Sequence, residues 1–181
     1  MVYLMLADGF EEIEALTVVD VLRRANIDIQ TASIQKQEYM VTGAHGIPVH
    51  ADVLLNECNT EEAEAVILPG GMPGTTHLAE SAELGQFLDM CVEKSTIMAA
   101  ICAAPMVFGK RGFLMGKEAT CYPGFEDRLK GATLSNRRVV QDGNFITSKG
   151  PGTALEFALF LVRVLKGESV SKKIAKGMIA E

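Results

Sequence analysis

The chain has 181 residues, 48% of them apolar, and a net charge of −6, which suits one domain spanning 1–181 with a substantial core. The acidic balance offers no electrostatic reason to hold nucleic acid or an anionic membrane, and the cation pairs (Arg23-Arg24, Lys110-Arg111, Arg137-Arg138, Lys172-Lys173) are scattered as on a solvated surface. No apolar run reaches membrane-spanning length and Met1-Val2-Tyr3-Leu4 has no basic lead, so neither anchor nor secretory signal is expected and the cytoplasm is the expected compartment.

In chain order, Val2 to Ala7 predicts a first strand. Asp8-Gly9-Phe10-Glu11 has the pattern of a capping box, a side-chain oxygen followed three residues later by a carboxylate. The helix it opens runs from about Glu11 to Ala25, and its apolar residues Ile13, Leu16, Val18, Val19, Val21 and Leu22 cover more than one stripe. A helix apolar on two faces is buried on two sides, by its own sheet and by another subunit, which predicts a homodimer. Glu14 falls on the line of Val18, Val21 and Ala25. Either this carboxylate reaches water at the stripe's edge, or burial disfavours its charged form and raises its pKa.

Asp28 to Ile34 predicts a second strand. Gln35 to Asn56, with Gly43, Gly46 and Pro48 among short β-like runs, predicts an irregular hairpin on the sheet's edge. Ala65 to Leu68 reads as a strand buried on both faces. Pro69-Gly70-Gly71-Met72-Pro73-Gly74 follows, a loop whose glycines permit close approach of a ligand and whose N–H groups suit an anion nest; as a plain loop it would simply turn the chain. It is neither a Walker loop nor a dinucleotide fingerprint. Helical pieces are expected around Thr75–Ser81 and Glu83–Glu93.

Thr96 to Ile101 is again a short apolar strand, and Cys102-Ala103-Ala104-Pro105 follows directly. Proline is tolerated in a helix's first turn, so Cys102 is placed at a strand-to-helix turn with a helix N-terminus beneath its sulfur. That position stabilises a thiolate; the alternative is an inert buried thiol. Beyond it come a helix ending near Phe108-Gly109, a short strand at Glu118–Cys121, a turn at Tyr122-Pro123-Gly124-Phe125, and a hairpin over Val139–Ile146 with Asp142-Gly143 at a type I′ turn. Thr153-Ala154-Leu155-Glu156 repeats the capping-box pattern before an apolar helix that Gly167 stops, and a more polar helix ends the chain.

Short alternating strands and helices predict an open, doubly wound, mostly parallel α/β sheet sandwiched by helices. Ligands of such sheets bind outside the strands' carboxyl ends, at the switch in strand order. Three strands end in suggestive loops: Ala7-Asp8-Gly9, Pro69-Gly70-Gly71 and Cys102-Ala103. If these are neighbours, the thiol, Glu14 and the glycine amides converge. Cys58, Cys91, Cys102 and Cys121 show no C-x-x-C, and His45, His50 and His77 form no ligand pattern, so free thiols and no metal site are expected.

Glu11-Glu12-Ile13-Glu14, Leu68-Pro69-Gly70-Gly71, Ala99-Ala100-Ile101-Cys102-Ala103-Ala104-Pro105 and Thr147-Ser148-Lys149-Gly150-Pro151-Gly152-Thr153 occur in the order seen in the ThiJ/PfpI superfamily. Over essentially the whole chain the sequence resembles its DJ-one (parkinsonism-associated protein) branch. The resemblance implies a flavodoxin-like homodimer without cofactor, with Cys102 on a nucleophile elbow and Glu14 as a protonated carboxyl hydrogen-bonded to the thiolate. It implies an oxyanion-like pocket from the N–H groups of Gly71 and Ala103, with Gly70, Tyr122 and Pro151 around it. The implied chemistry is glyoxalase- or deglycase-like, on small aldehydes or glycated substrates, or else redox sensing and chaperoning through Cys102 sulfinate.

The chain also departs from the pattern. Tyr122 stands where relatives often carry histidine, so no histidine relay is expected there. Ala103 follows the cysteine where the peptidase-like branch has histidine, which argues against peptidase chemistry. Lys149 replaces a usual arginine, and Ala51 replaces the arginine that with Arg24 would frame an anion site across the dimer. A resolving role for Cys121 is a further alternative, opposed by the opposite orientation of successive strand side chains.

Overall fold

In the computed structural model, which describes residues 1–180, the first half of the chain forms β1 (Val2–Leu6), α1 (Glu12–Arg24), β2 (Ile29–Ser33), β3 (Met40–Thr42), β4 (Pro48–His50), β5 (Val53–Leu54), β6 (Ala65–Leu68), α2 (Gly74–Glu80) and α3 (Ala82–Glu93). The second half forms β7 (Ile97–Ile101), α4 (Pro105–Lys110), β8 (Glu118–Ala119), β9 (Thr133–Leu134), β10 (Val139–Asp142), β11 (Phe145–Ser148), α5 (Ala154–Lys166) and α6 (Glu168–Gly177). Seven strands make one sheet in the order β10-β11-β7-β6-β1-β2-β5. Every neighbouring pair is parallel except β10 with β11.

Strand alternation sorts the apolar side chains into two cores. Leu4, Leu6, Ile67 and Ile101 face α1 and α5, meeting Val18, Leu22, Phe157 and Leu161. Tyr3, Met5, Leu68 and Met98 face the other way, onto Leu84, Leu88 and Phe108 of α3 and α4. Because helices cover both faces, β1, β6 and β7 have no solvent side and read as unbroken apolar runs. Each fully buried Leu or Phe is worth about 1.5–3 kcal/mol, so these two layers hold the strand ends rigidly. The switch in strand order follows from the chain path: after β1 it builds β2 and β5 on one side, then crosses to β6 on the other. The carboxyl ends of β1, β6 and β7 are therefore neighbours, and the three suggestive loops meet.

Five local expectations are corrected. Asp8 caps no helix: Glu11 is the N-cap residue of α1, without a side-chain bond. The Asp8 carboxylate instead accepts the Thr42 N–H at 2.8 Å and the Gln35 side-chain amide at 2.9 Å, tying the next connection to the sheet. Nor do Thr153 and Glu156 form a box. Thr153 donates to the Gly150 carbonyl (2.8 Å) within a 3-10 turn, while Glu156 is taken by Arg138. The hairpin of Gln35–Asn56 is a separate antiparallel ribbon, β3–β4, laid over the start of α1; the sheet's edge is β5. Its inward Val41 joins the α1 core, and that burial outweighs pairing at a sheet edge.

The turn of the β10–β11 hairpin is slipped by one residue. Asp142 pairs with Phe145, so Gly143 and Asn144 make the loop, and Gly143 alone has positive φ, as type II′ rather than I′ requires. Asp142 is freed to accept the Glu118 N–H at 2.8 Å. This bond anchors β8, which stops at Ala119 and pairs with β9 instead of running on to Cys121.

Candidate active site

Cys102 follows β7 and has φ +64, a left-handed conformation that costs a non-glycine residue of order 1–3 kcal/mol. Its N–H continues the ladder to the Ser148 carbonyl (3.0 Å), and its own carbonyl accepts the Tyr122 N–H (2.8 Å). The Ala104 N–H closes a tight turn onto Ile101 (3.1 Å), and Pro105 begins α4. Held at both peptide groups, the cysteine is forced into the sharp turn that lifts its half-buried thiol away from the sheet.

Beside it lies the loop after β6. The Gly70 carbonyl accepts the Glu11 N–H (2.8 Å), so this loop is locked to the first turn of α1. A Cβ on Gly70 would stand 2.5 Å from the Cys102 Cβ and 2.7 Å from Glu14 Oε2. Only glycine allows the carboxyl and the thiol to come together there. Gly71, at φ +91, would meet the Glu11 N–H at 2.3 Å if it carried a Cβ. The backbone N–H groups of Gly71 and Ala103 lie near enough to the Cys102 sulfur to lower its pKa.

Glu14 is wholly buried. Oε2 accepts the Gly70 N–H at 2.7 Å, while Oε1 is shielded from water and accepts no hydrogen bond. Burial pushes the carboxyl up to about 7; the Gly70 N–H and the Cys102 thiol pull it down, and the charge of Glu11 adds to the rise. Burial, the Glu14 charge and the bond to Glu14 push the Cys102 thiol up to about 12, against the Ala103 and Gly71 amides. The Glu14 charge disfavours the thiolate, so these two neighbouring acids titrate as a coupled pair. When a proton sits on the carboxyl, its repulsion of the thiolate vanishes, and the amides that lower the thiol's pKa act unopposed by that charge. An oxygen that accepts nothing, Oε1, is where that proton belongs.

Tyr122 and Gly150 form the opposite wall. A Cβ on Gly150 would lie 3.0 Å from the Tyr122 ring and 4.0 Å from the Cys102 sulfur. Pro151, one residue on, opens the 3-10 turn of Pro151–Thr153. Three contributors lacked a local sequence signal: the Ser148 carbonyl, the Glu11 N–H and Gly150. Their roles arise from strand pairing between distant segments, although Gly150-Pro151-Gly152 does mark a special turn.

Cys121 lies in the other core from the one Cys102 packs against. It lines a small separate cavity with Lys149 and Glu126, and all four cysteines are free. Among the described residues, one carboxylate–histidine group has metal-like spacing: Glu11, Glu12 and His45. Its members are engaged with one another. The His45 N–H and Nδ1 each lie 2.8 Å from the Glu12 carboxylate. Burial would raise Glu12, but these bonds outweigh it and hold its carboxyl below the usual range. The group clips the β3–β4 ribbon to α1. No helix among the described residues is long and apolar enough to cross a membrane.

Comparison with known proteins matches these features to relatives. The DJ-1/PfpI family model matches residues 1–164. Protein dj-1beta of Drosophila melanogaster is 37% identical over 177 residues, covering 97% of this chain and 94% of that protein. The glutathione-independent glyoxalase DJR-1.2 of Caenorhabditis elegans is 34% identical, covering 92% and 88%. The solved structure of oxidized Toxoplasma gondii DJ-1 superposes with a TM-score of 0.93 at 36% identity, over 98% of this chain and 97% of that one. With its parallel sheet, its elbow cysteine and a family match across nearly all its length, the chain belongs to the DJ-1/PfpI family.

Proposed function

We propose that the protein is a cofactor-independent cysteine enzyme of glyoxalase or deglycase type, acting on small α-oxoaldehydes or early glycation adducts. One observation carries this reading: a sulfur at a strained turn stands across Gly70 from a wholly buried carboxyl, with two backbone amides lowering the thiol's pKa. The Cys102 thiolate adds to the aldehyde carbon of methylglyoxal, forming a C–S bond while the carbonyl electron pair moves onto oxygen. The Gly71 and Ala103 amides stabilise that oxyanion. Glu14 protonates it, then moves the hydrogen from the former aldehyde carbon to the ketone carbon as a proton, through an enediol. The resulting lactoyl thioester is hydrolysed by water, which releases lactate and restores the thiol. The sequence is redox-neutral overall and consumes one water. The relative named as a glutathione-independent glyoxalase supports the substrate class.

Lactate production from methylglyoxal by wild type, Cys102→Ala and Glu14→Ala tests it. Both variants are expected to lose activity by a hundredfold or more; equal rates in all three would overturn the mechanism. A second reading is favoured by the relative solved in oxidized form. Peroxide oxidises Cys102 to sulfinate, each of two peroxides transferring one oxygen and leaving as water, and the same amides hold the sulfinate oxygens. Peptide mass spectrometry after mild peroxide is expected to find two added oxygens on Cys102 before Cys58, Cys91 or Cys121; oxidation elsewhere first sinks the sensor reading.

The exposed Ile13, Leu16 and Ile47 support a homodimer that covers the outer stripe of α1, and a cytoplasmic protein whose partner is a small molecule completes the proposal. Light scattering that finds only monomer would remove the dimer from it.

A further inference from the structure

A groove of about 320 Å³ runs between α2, α4 and the turn after Tyr122, at the lower end of small-ligand sites of roughly 300–1,000 Å³. Its walls are Met72, Thr76, Ala79, Met106 and Phe125. Each side is continuous with a group at the sulfur. Met72 is the residue after Gly71. The Met106 N–H bonds to the Ala103 carbonyl (3.0 Å), and the Phe125 N–H bonds to the Tyr122 carbonyl (3.1 Å). The far end is closed because Gly109 lets α4 press against the turn: a Cβ there would stand 2.2 Å from the Arg128 carbonyl oxygen. Three charged residues line it as well: Lys110 donates to the Ala79 carbonyl (2.8 Å), and Glu80 and Arg128 are exposed to solvent.

Met72 is about half exposed. Thioether chains adapt their shape to whatever apolar group they meet, and Met72, the residue after Gly71, is placed to do so. Methylglyoxal, with one methyl beyond its two carbonyl carbons, leaves such a groove empty.

We propose that this groove is the subsite for the non-reacting arm of the substrate, and that the enzyme prefers α-oxoaldehydes bearing an unbranched alkyl arm to methylglyoxal. The inference rests on the reading of Cys102 as a nucleophile toward α-oxoaldehydes and names the substrate class more narrowly. Met72 and Met106 are the specificity-determining residues: they touch the arm and leave the reacting carbons to Cys102 and Glu14.

The first test is kcat/KM for 2-oxooctanal relative to methylglyoxal, in wild type and in the double variant Met72→Asn, Met106→Asn. Wild type is expected to favour the longer substrate at least tenfold, and the double variant to lose at least tenfold of that ratio, what one or two methylene-sized contacts supply. General damage cancels in the ratio. An unchanged ratio in the variant, or a wild-type preference for methylglyoxal, overturns the groove.

The second test needs no turnover. With methyl-labelled methionines, 2-hydroxyoctanoate is expected to shift the Met72 and Met106 methyl signals saturably among the nine methionines, whereas lactate at equal concentration is not. If neither aldehyde is turned over but these signals move, the glyoxalase chemistry fails and the groove stands. If they do not move, the groove fails whatever the kinetics.

Discussion

Cys102 and Cys121 stand at the two ends of one backbone hydrogen bond's neighbourhood, since the Tyr122 N–H binds the Cys102 carbonyl, yet they are opposite kinds of thiol. Both are pushed up by burial, to about 12 and about 11. At Cys121 the remaining influences are the charges of Glu126 and Lys149, which oppose each other. At Cys102 two backbone amides lower the thiol's pKa, and the neighbouring Glu14 carboxylate can take up the proton that the thiol gives. Burial alone yields an inert thiol. Burial with amides and a carboxyl yields one whose charged form depends on where a single shared proton rests. Three expectations break or sharpen this contrast.

The largest effect concerns stability. Glu14 titrates at about 7 in the fold against an ordinary 4.5, so between those values the native state holds a proton that the unfolded chain has released. Stability from this group is full below pH 4.5 and is lost as pH rises through 7. The shift corresponds to about 3 kcal/mol across that window. Glu14→Gln keeps the buried acceptor for the Gly70 N–H but cannot ionise. Urea unfolding at pH 5 and pH 8 is expected to show the wild type losing that amount relative to the variant; parallel pH profiles would mean that Glu14 is not held protonated by the fold.

Next comes selectivity. Iodoacetamide at pH 7.5 on the folded protein is expected to label Cys102 at least a hundredfold faster than Cys121, because the Cys102 sulfur is in reach of solvent with two backbone amides lowering its pKa, whereas Cys121 is buried without such donors. Comparable rates would dissolve the contrast. The Glu14→Leu variant then decides what the carboxyl does. As a fixed negative charge it would only suppress the thiolate, and its removal would speed alkylation. As an acceptor of the thiol's proton it creates the thiolate, and its removal is expected to slow alkylation at least tenfold.

How much of this was legible beforehand depended on whether the cause was local. The runs Val2–Leu6, Ala65–Leu68 and Ile97–Ile101 announce strands buried on both faces, and Cys102 before Ala103-Ala104-Pro105 announces the elbow, because strand burial and helix initiation are short-range matters. Glu14 was readable only as a choice between water and a raised pKa; its burial is decided by Gly70, 56 residues away. The two capping boxes misled for the same reason. Asp8 and Glu156 had distant partners, Thr42 and Arg138, that outcompeted the local helix ends. Strands of two residues such as β5 and β9 carry no period to detect, and the Ser148 carbonyl joins the site only through the β7–β11 pairing.

The smallest expected effect tests the quiet member of the pair. Cys121 is 5% exposed and packs in the α3–α4 core, so Cys121→Ser puts a hydroxyl where a weakly polar sulfur sat, at about 1–3 kcal/mol. That loss is expected in urea unfolding, while the rate of Cys102 alkylation stays within threefold. A resolving thiol would behave otherwise, since without it the Cys102 sulfenate would no longer be captured as a disulfide and would run on to sulfinate. The two thiols pack into different cores on either side of the sheet, and a disulfide needs their Cβ atoms to approach within about 3.5–4.5 Å. Peroxide titration of the variant is therefore expected to give the wild-type yield of sulfinate, and a clear increase would show that the sheet opens far enough for the pair to meet.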